Sequence, residues 1–214
     1  MKFSIEELRP IRNGMTISRD SKLGNSTKVT YFSMGKDTSI SQESYDRMTM
    51  YIGASGWGEF IIGEEPKIIK LQPDELLIVP AGTLCGMQTS NGIVYTEIIC
   101  TGKDINMNAN VKTNEVFALK NLISYEEGSI ANMDVVSTPD MKYVLMAFDE
   151  GTGLTPHRAP GNAIVFALEG KATIGYEGKD YELSEGECFR FEKNGLHSVT
   201  ANGKFKMALL LVLE

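Results

Sequence analysis

The chain has 214 residues, enough for one large or two small domains. Its 42% hydrophobic and 23% charged residues are ordinary for a globular protein, and a net charge of −7 argues against general affinity for nucleic acid or anionic membrane, which need clustered Lys and Arg. The opening MKFSIEELRP has no apolar run of signal length and no segment approaches the ~18 apolar residues of a membrane helix, so a cytoplasmic protein is expected.

In chain order, SIEEL comes first, with Ser4 at an N-cap position and Glu7 three residues later, which predicts a short helical turn. VTYFSM, DRMTMYI, EFIIG, KIIKL, ELLIVP and IVYTEIIC follow, each short, rich in branched or aromatic residues and bounded by turn formers, so each is read as a strand. In TGKDINMNANVKTNEV polar residues crowd together and no period holds. A boundary is placed there, with domains at 1–111 and 112–214. ALKNL repeats the helical turn, KYVLMAF is the next strand, and the segment from Gly151 to His197 then alternates strands and Gly turns: AIVFAL, EG, KATIGY, EG, KDYEL, SEG, ECFRF. KMALLLVL closes the chain as a last strand.

The two halves repeat. Gly56 in YIGASGWGEF matches Gly170 in FALEGKATI at an offset of 114 (170 − 56), and the same slide aligns Gly14 with Gly128, Lys28 with Lys142 and Thr38 with Thr152. Past the hairpin the offset becomes 112 (186 − 74), which aligns Asp74 with Gly186 and Glu75 with Glu187. In 163–168 both alternations are apolar: Ala163, Val165 and Ala167 on one, Ile164, Phe166 and Leu168 on the other. Such a strand needs a second layer, from the other domain or from a partner subunit in a homodimer. Cys85, Cys100 and Cys188 are too few and too widely spaced for a disulfide framework or zinc knuckle, and buried reduced thiols are expected.

Both of the chain's histidines, His157 and His197, fall in this strand-and-turn stretch, in HRAPGNAIVFALEG and KNGLH. With its glycines this resembles the cupin superfamily of small jelly-roll barrels. That family's motifs are a Gly, a His-x-His pair, a Glu and a Gly, then a Gly, a Pro-x-Gly turn and a third His. Gly151 or Gly153, His157, Gly170, Gly186 and His197 are kept. Ala159 and Ala163 stand where the second His and the Glu would be, and Glu192 and Asn194 replace the Pro and Gly. Taken with the repeat, the resemblance implies an all-β fold of two tandem cupin-type jelly-roll barrels, a bicupin, with a short helical turn opening each.

Two imidazoles can ligate zinc, iron, nickel or manganese, but a firm site uses three or four protein ligands, so any divalent metal in the C-terminal barrel is expected to be weakly held. The candidate ligand-binding residues are His157, His197, Ala163, Phe191 and Tyr176, with His157 and His197 as the metal ligands. By alternation Phe189 and Phe191 point inward and Arg190 outward, and the small inner residues Ala159 and Ala163 leave space beside the histidines. In the first barrel Glu43 takes the His157 position and Cys85 that of His197. No metal is expected there, and the interior should be filled by Tyr51, Phe60, Leu77 and Val79. The leading function is binding of a small polar or anionic molecule in the C-terminal barrel. The alternatives are a metal-dependent dioxygenase, isomerase or lyase, and a structural protein without ligand.

Overall fold

The computed structural model describes residues 1–25, 27–102 and 104–213. Lys103, within the polar stretch taken as a boundary, lies outside the described residues. The strands are β1 (Lys2–Phe3), β2 (Thr16–Asp20), β3 (Lys28–Met34), β4 (Thr38–Ser44), β5 (Thr49–Gly56), β6 (Gly58–Ile62), β7 (Lys67–Leu71), β8 (Glu75–Val79), β9 (Leu84–Thr89) and β10 (Ile93–Ile99). They continue as β11 (Asn106–Met107), β12 (Val116–Ala118), β13 (Ile130–Thr138), β14 (Met141–Phe148), β15 (Gly153–Arg158), β16 (Asn162–Tyr176), β17 (Lys179–Ser184), β18 (Cys188–Phe191) and β19 (Leu196–Val212). The two helical turns fall at Ile5–Leu8 and, as a 3-10 turn, at Leu119–Asn121.

The chain divides into two compact units, one of Met1–Ser4, Gly102–Asn108 and Leu119–Glu214 and the other of Ile5–Thr101 and Ala109–Ala118. Each is a jelly-roll barrel, so the fold is all-β. In the N-terminal unit two antiparallel sheets, ordered β12-β8-β5-β10-β3-β2 and β4-β9-β6-β7, surround a core that includes Met34, Phe60, Leu71, Leu77 and Tyr95. In the C-terminal unit a single sheet runs β1-β18-β16-β19-β14-β13-β11, with β15 on β19 and β17 on β16. Its two long strands span both layers, and their pairing slips between Ala167 and Glu169 and again between Gly170 and Ala172. Such slips bend strands and raise local twist, which lets one ribbon serve two faces. Ala163, Val165 and Ala167 point into the inner core with Phe148, Phe189, Phe191 and Phe205, while Ile164, Phe166 and Leu168 on the other alternation are buried too.

The repeat extends to registers and hydrogen bonds. Lys28 pairs with Ile99 and Lys142 with Leu211, which reproduces both offsets in one ladder (142 − 28 = 114, 211 − 99 = 112). The Thr38 hydroxyl donates to the Gly35 carbonyl and the Thr152 hydroxyl to that of Asp149, each at 2.7 Å. Glu75 accepts from the Gln72 amide at 2.7 Å and Glu187 from that of Ser184 at 2.8 Å. Gly56 and Gly170 both sit at the strand corner with φ of 68° and 76°. A side chain at either would lie 2.1 Å from a carbonyl oxygen, of Gly92 or of Lys204, so glycine is required sterically as well as conformationally.

Each unit also takes a strand of two or three residues from beyond its main span. Lys2 and Phe3 in β1 pair with Phe189 and Cys188 in β18, and Val116–Ala118 in β12 pairs with β8, Phe117 opposite Leu76. These are equivalent exchanges under the two offsets (117 − 3 = 114, 188 − 76 = 112).

Candidate functional site

Strands β15 and β19 place His157 and His197 directly opposite one another, just past a slip between Leu154 and His157. The imidazole centroids are 4.3 Å apart, tilted by 54°. Nδ1 of His157 lies 2.8 Å from the Thr155 carbonyl oxygen and Nδ1 of His197 lies 2.9 Å from that of Gly195. A carbonyl oxygen only accepts, so each Nδ1 carries a proton and each ring turns its Nε2 elsewhere. Among the described residues neither Nε2 has a hydrogen-bond partner. His197 is 8% exposed, whereas His157 stands at the exposed rim. Burial lowers the His197 pKa, the Gly195 carbonyl opposes that shift, and the nearby His157 adds to it, so His197 is held neutral.

The Phe191 ring stacks on His197 at 4.2 Å, and Tyr176 packs against Phe191 at 5.5 Å and Phe189 at 5.6 Å. Ala163 lies opposite Phe191 on the β16–β18 ladder, and its small volume makes room for that ring. The structure thus groups His157, His197, Phe191 and Tyr176, with Ala163 one layer deeper in the core. Inward rings at Phe189 and Phe191 leave Arg190 turned to the surface, where it meets Glu192 at 2.8 Å. Arg158 is exposed beside Glu177 and donates to the Asn194 carbonyl. A cleft of about 260 Å³ opens next to His197, lined by Pro156, Tyr176, Lys179, Asp180 and Ser198.

The donor set tests the metal expectation. Among the described residues no group of three or more His, Cys, Asp and Glu side chains could hold a metal ion. Two Nε2 atoms suit an ion completed by solvent or ligand donors and do not make the closed set of a firm centre.

The N-terminal interior departs from the expected apolar filling. Tyr51, Phe60, Leu77 and Val79 are buried in its core as expected, yet a cavity of about 100 Å³ remains, lined by Tyr51, Phe60 and Cys85 together with Glu43, Tyr45 and Glu97. Burial pushes the Cys85 thiol up to about 11, a hydrogen bond from Tyr51 acting against it, which keeps it an unreactive thiol. Glu97 was missed. Its signal was parity in IVYTEIIC, which puts it on the same face as Tyr95.

Burial raises the Glu97 carboxyl to about 6, with Lys28 pulling the other way. The unfolded chain therefore loses its proton first, near 4.3, and the folded state is penalised as pH rises through 6. Glu97→Gln is expected to gain about 2 kcal/mol at about pH 7.5 and nothing at about pH 4, read from urea unfolding midpoints. Equal midpoint shifts at both pH values would show that the carboxylate is not penalised by burial.

Residues 144–213 match the family model of the cupin domain. A cupin 2 conserved barrel domain protein from Leptotrichia buccalis is similar in structure, at 24% identity and a TM-score of 0.87, over 99% of this chain and 96% of its own. A salicylate 1,2-dioxygenase from Pseudaminobacter salicylatoxidans shares the fold at 11% identity and a TM-score of 0.64, over 87% of this chain and 71% of its own. The oxalate decarboxylase of Bacillus subtilis does so at 12% identity and a TM-score of 0.59, over 99% and 76%. No curated protein matches the sequence. No helix among the described residues is long and apolar enough to cross a membrane.

Proposed function

We propose, from the match of residues 144–213 to the cupin domain model and the barrel fold shared with cupin proteins, that this is a binding protein of the cupin superfamily whose C-terminal barrel holds a small polar molecule at the His157–His197 pair. The observation that carries this reading is the pair of Nε2 atoms, oriented by backbone carbonyls and left without partners among the described residues. Two lone pairs at one mouth call for a hydroxyl or amide donor, or for a divalent cation. An anion would require protonated rings, which the lowered pKa of His197 opposes. Zinc, iron, nickel or manganese is the alternative occupant, held weakly with outside ligands. A metal-dependent dioxygenase, isomerase or lyase would need further ligands, and no His, Cys, Asp or Glu completes such a set among the described residues.

With two histidines in the chain, their Hε1 proton resonances report on the site one by one. Titrating metal-free protein with a panel of polyols and amides, and separately with Zn²⁺, is expected to move both resonances together with at least one polar compound. Zn²⁺ binding that resists competition by a weak chelator would replace this reading with a metal centre. If nothing moves either resonance, the pair is structural. His157→Ala, at the exposed rim, is expected to remove the response within about 0.5 kcal/mol of parental stability. His197→Ala, which loses a buried stacked ring, should cost about 1–3 kcal/mol.

A further inference from the structure

The same wall positions carry different chemistry in the two barrels. Under the repeat offsets Tyr45, Tyr51, Tyr95 and Glu97 correspond to Ala159, Val165, Met207 and Leu209. Val165 and Met207 fill the C-terminal core, whereas the N-terminal positions surround the 100 Å³ cavity. Glu97 lines that cavity at 7% exposure and makes no hydrogen bond or ion pair among the described residues. Lys28 acts on it electrostatically but is exposed and does not line the cavity. An unpaired carboxylate in such a place is costly, and the empty space beside it is where a counter-charge can sit.

The remaining walls narrow the choice of that counter-charge. Tyr51 and Phe60 are 4.7 Å apart, Phe32 and Tyr95 5.1 Å, and Tyr51 and Tyr95 6.1 Å, a cluster of rings around the buried carboxylate. Rings and a carboxylate together recognise a desolvated organic cation. An anion would meet Glu43 and Glu97, and a bare metal ion would lack donors, since no set of three or more ligating side chains exists among the described residues. The space is smaller than the ~150 Å³ that holds benzene, which limits an occupant to about four or five heavy atoms. Ser41, Glu43 and Tyr45 line the same cavity and are exposed, so they form its rim and its route of entry.

We infer that the N-terminal barrel binds a small alkylammonium ion, its charge against the Glu97 carboxylate and its methyl groups against Phe32, Tyr51, Phe60 and Tyr95. This site is separate from the histidine pair. The groups facing Glu97 are Glu43, Tyr45, Tyr51, Cys85 and Tyr95, with Lys28 beyond them. Burial raises the phenols of Tyr45, Tyr51 and Tyr95 and the Cys85 thiol away from neutrality. Binding should therefore weaken as pH falls through about 6, where Glu97 takes up its proton.

The test is calorimetric titration of the full chain with tetramethylammonium chloride, using tert-butanol as the neutral probe of similar size. The expected result is one tetramethylammonium ion per chain and no comparable heat from tert-butanol. Glu97→Gln should weaken binding about tenfold or more while the variant stays folded. Tyr51→Leu should weaken it too, and His157→Ala should leave it unchanged. Failure of the wild-type protein to bind tetramethylammonium overturns the inference, as does equal affinity in Glu97→Gln. Loss of binding in His157→Ala would also overturn it, by locating the cation in the other barrel.

Discussion

Gly170→Ala is expected to destabilise the C-terminal barrel by about 3–5 kcal/mol, because two costs fall on one residue. The first is conformational, since φ of 76° is left-handed backbone that side chains disfavour. The second is steric, since the new Cβ would lie 2.1 Å from the Lys204 carbonyl oxygen, backbone that cannot swing away. Gly178→Ala separates the two, having φ of 78° but nothing within 4 Å of an added Cβ, and should cost only about 1 kcal/mol. Urea unfolding followed by far-ultraviolet circular dichroism reads both. Equal losses in the two variants would show that the corner is not sterically closed.

Phe191→Ala is the second large effect, expected at about 3–5 kcal/mol for a phenyl group that is 1% exposed. The loss should reach the site as well as the core. Phe191 stacks on His197 at 4.2 Å with an interplanar angle of 27°, so its removal frees the imidazole that the Gly195 carbonyl otherwise orients. Phe191→Leu keeps most of the apolar volume and should recover much of the stability. It should still shift the His197 Hε1 resonance, because the ring current is gone, and leave that of His157 nearly in place. A Leu variant with an unmoved His197 resonance would show that the stacking is not maintained in solution.

How far the sequence could be read depended on how local each signal was. The corner glycines, the Thr38 and Thr152 hydroxyl bonds and the Glu75 and Glu187 amide bonds are set within a few residues, and they are the positions at which the 114 and 112 offsets align the halves. The meeting of His157 and His197 was legible through the family resemblance, since their partnership depends on a ladder that spacing alone does not specify. Strands β1 and β12 left no trace, because two or three residues cannot establish an alternation. Glu97 was hidden for a different reason. One charged residue inside IVYTEIIC reads as a solvent-facing position; its parity with Tyr95 fixes a shared face, and the ring cluster shows that this face turns inward.

The pairing of β1 with β18 has a consequence for synthesis on the ribosome. Lys2 and Phe3 leave the tunnel well before their partners Phe189 and Cys188, with 185 residues from Phe3 to Cys188 (188 − 3). At about 5–20 residues per second the opening strand waits roughly ten to forty seconds for its ladder. Until then β18 is absent, and Lys2–Phe3 has no ladder partner. The N-terminal barrel meets a shorter delay, since β12 follows β8 by a few dozen residues. The two repeats, alike in register, therefore close at different times, and the C-terminal barrel is the one whose completion must await the emergence of β18.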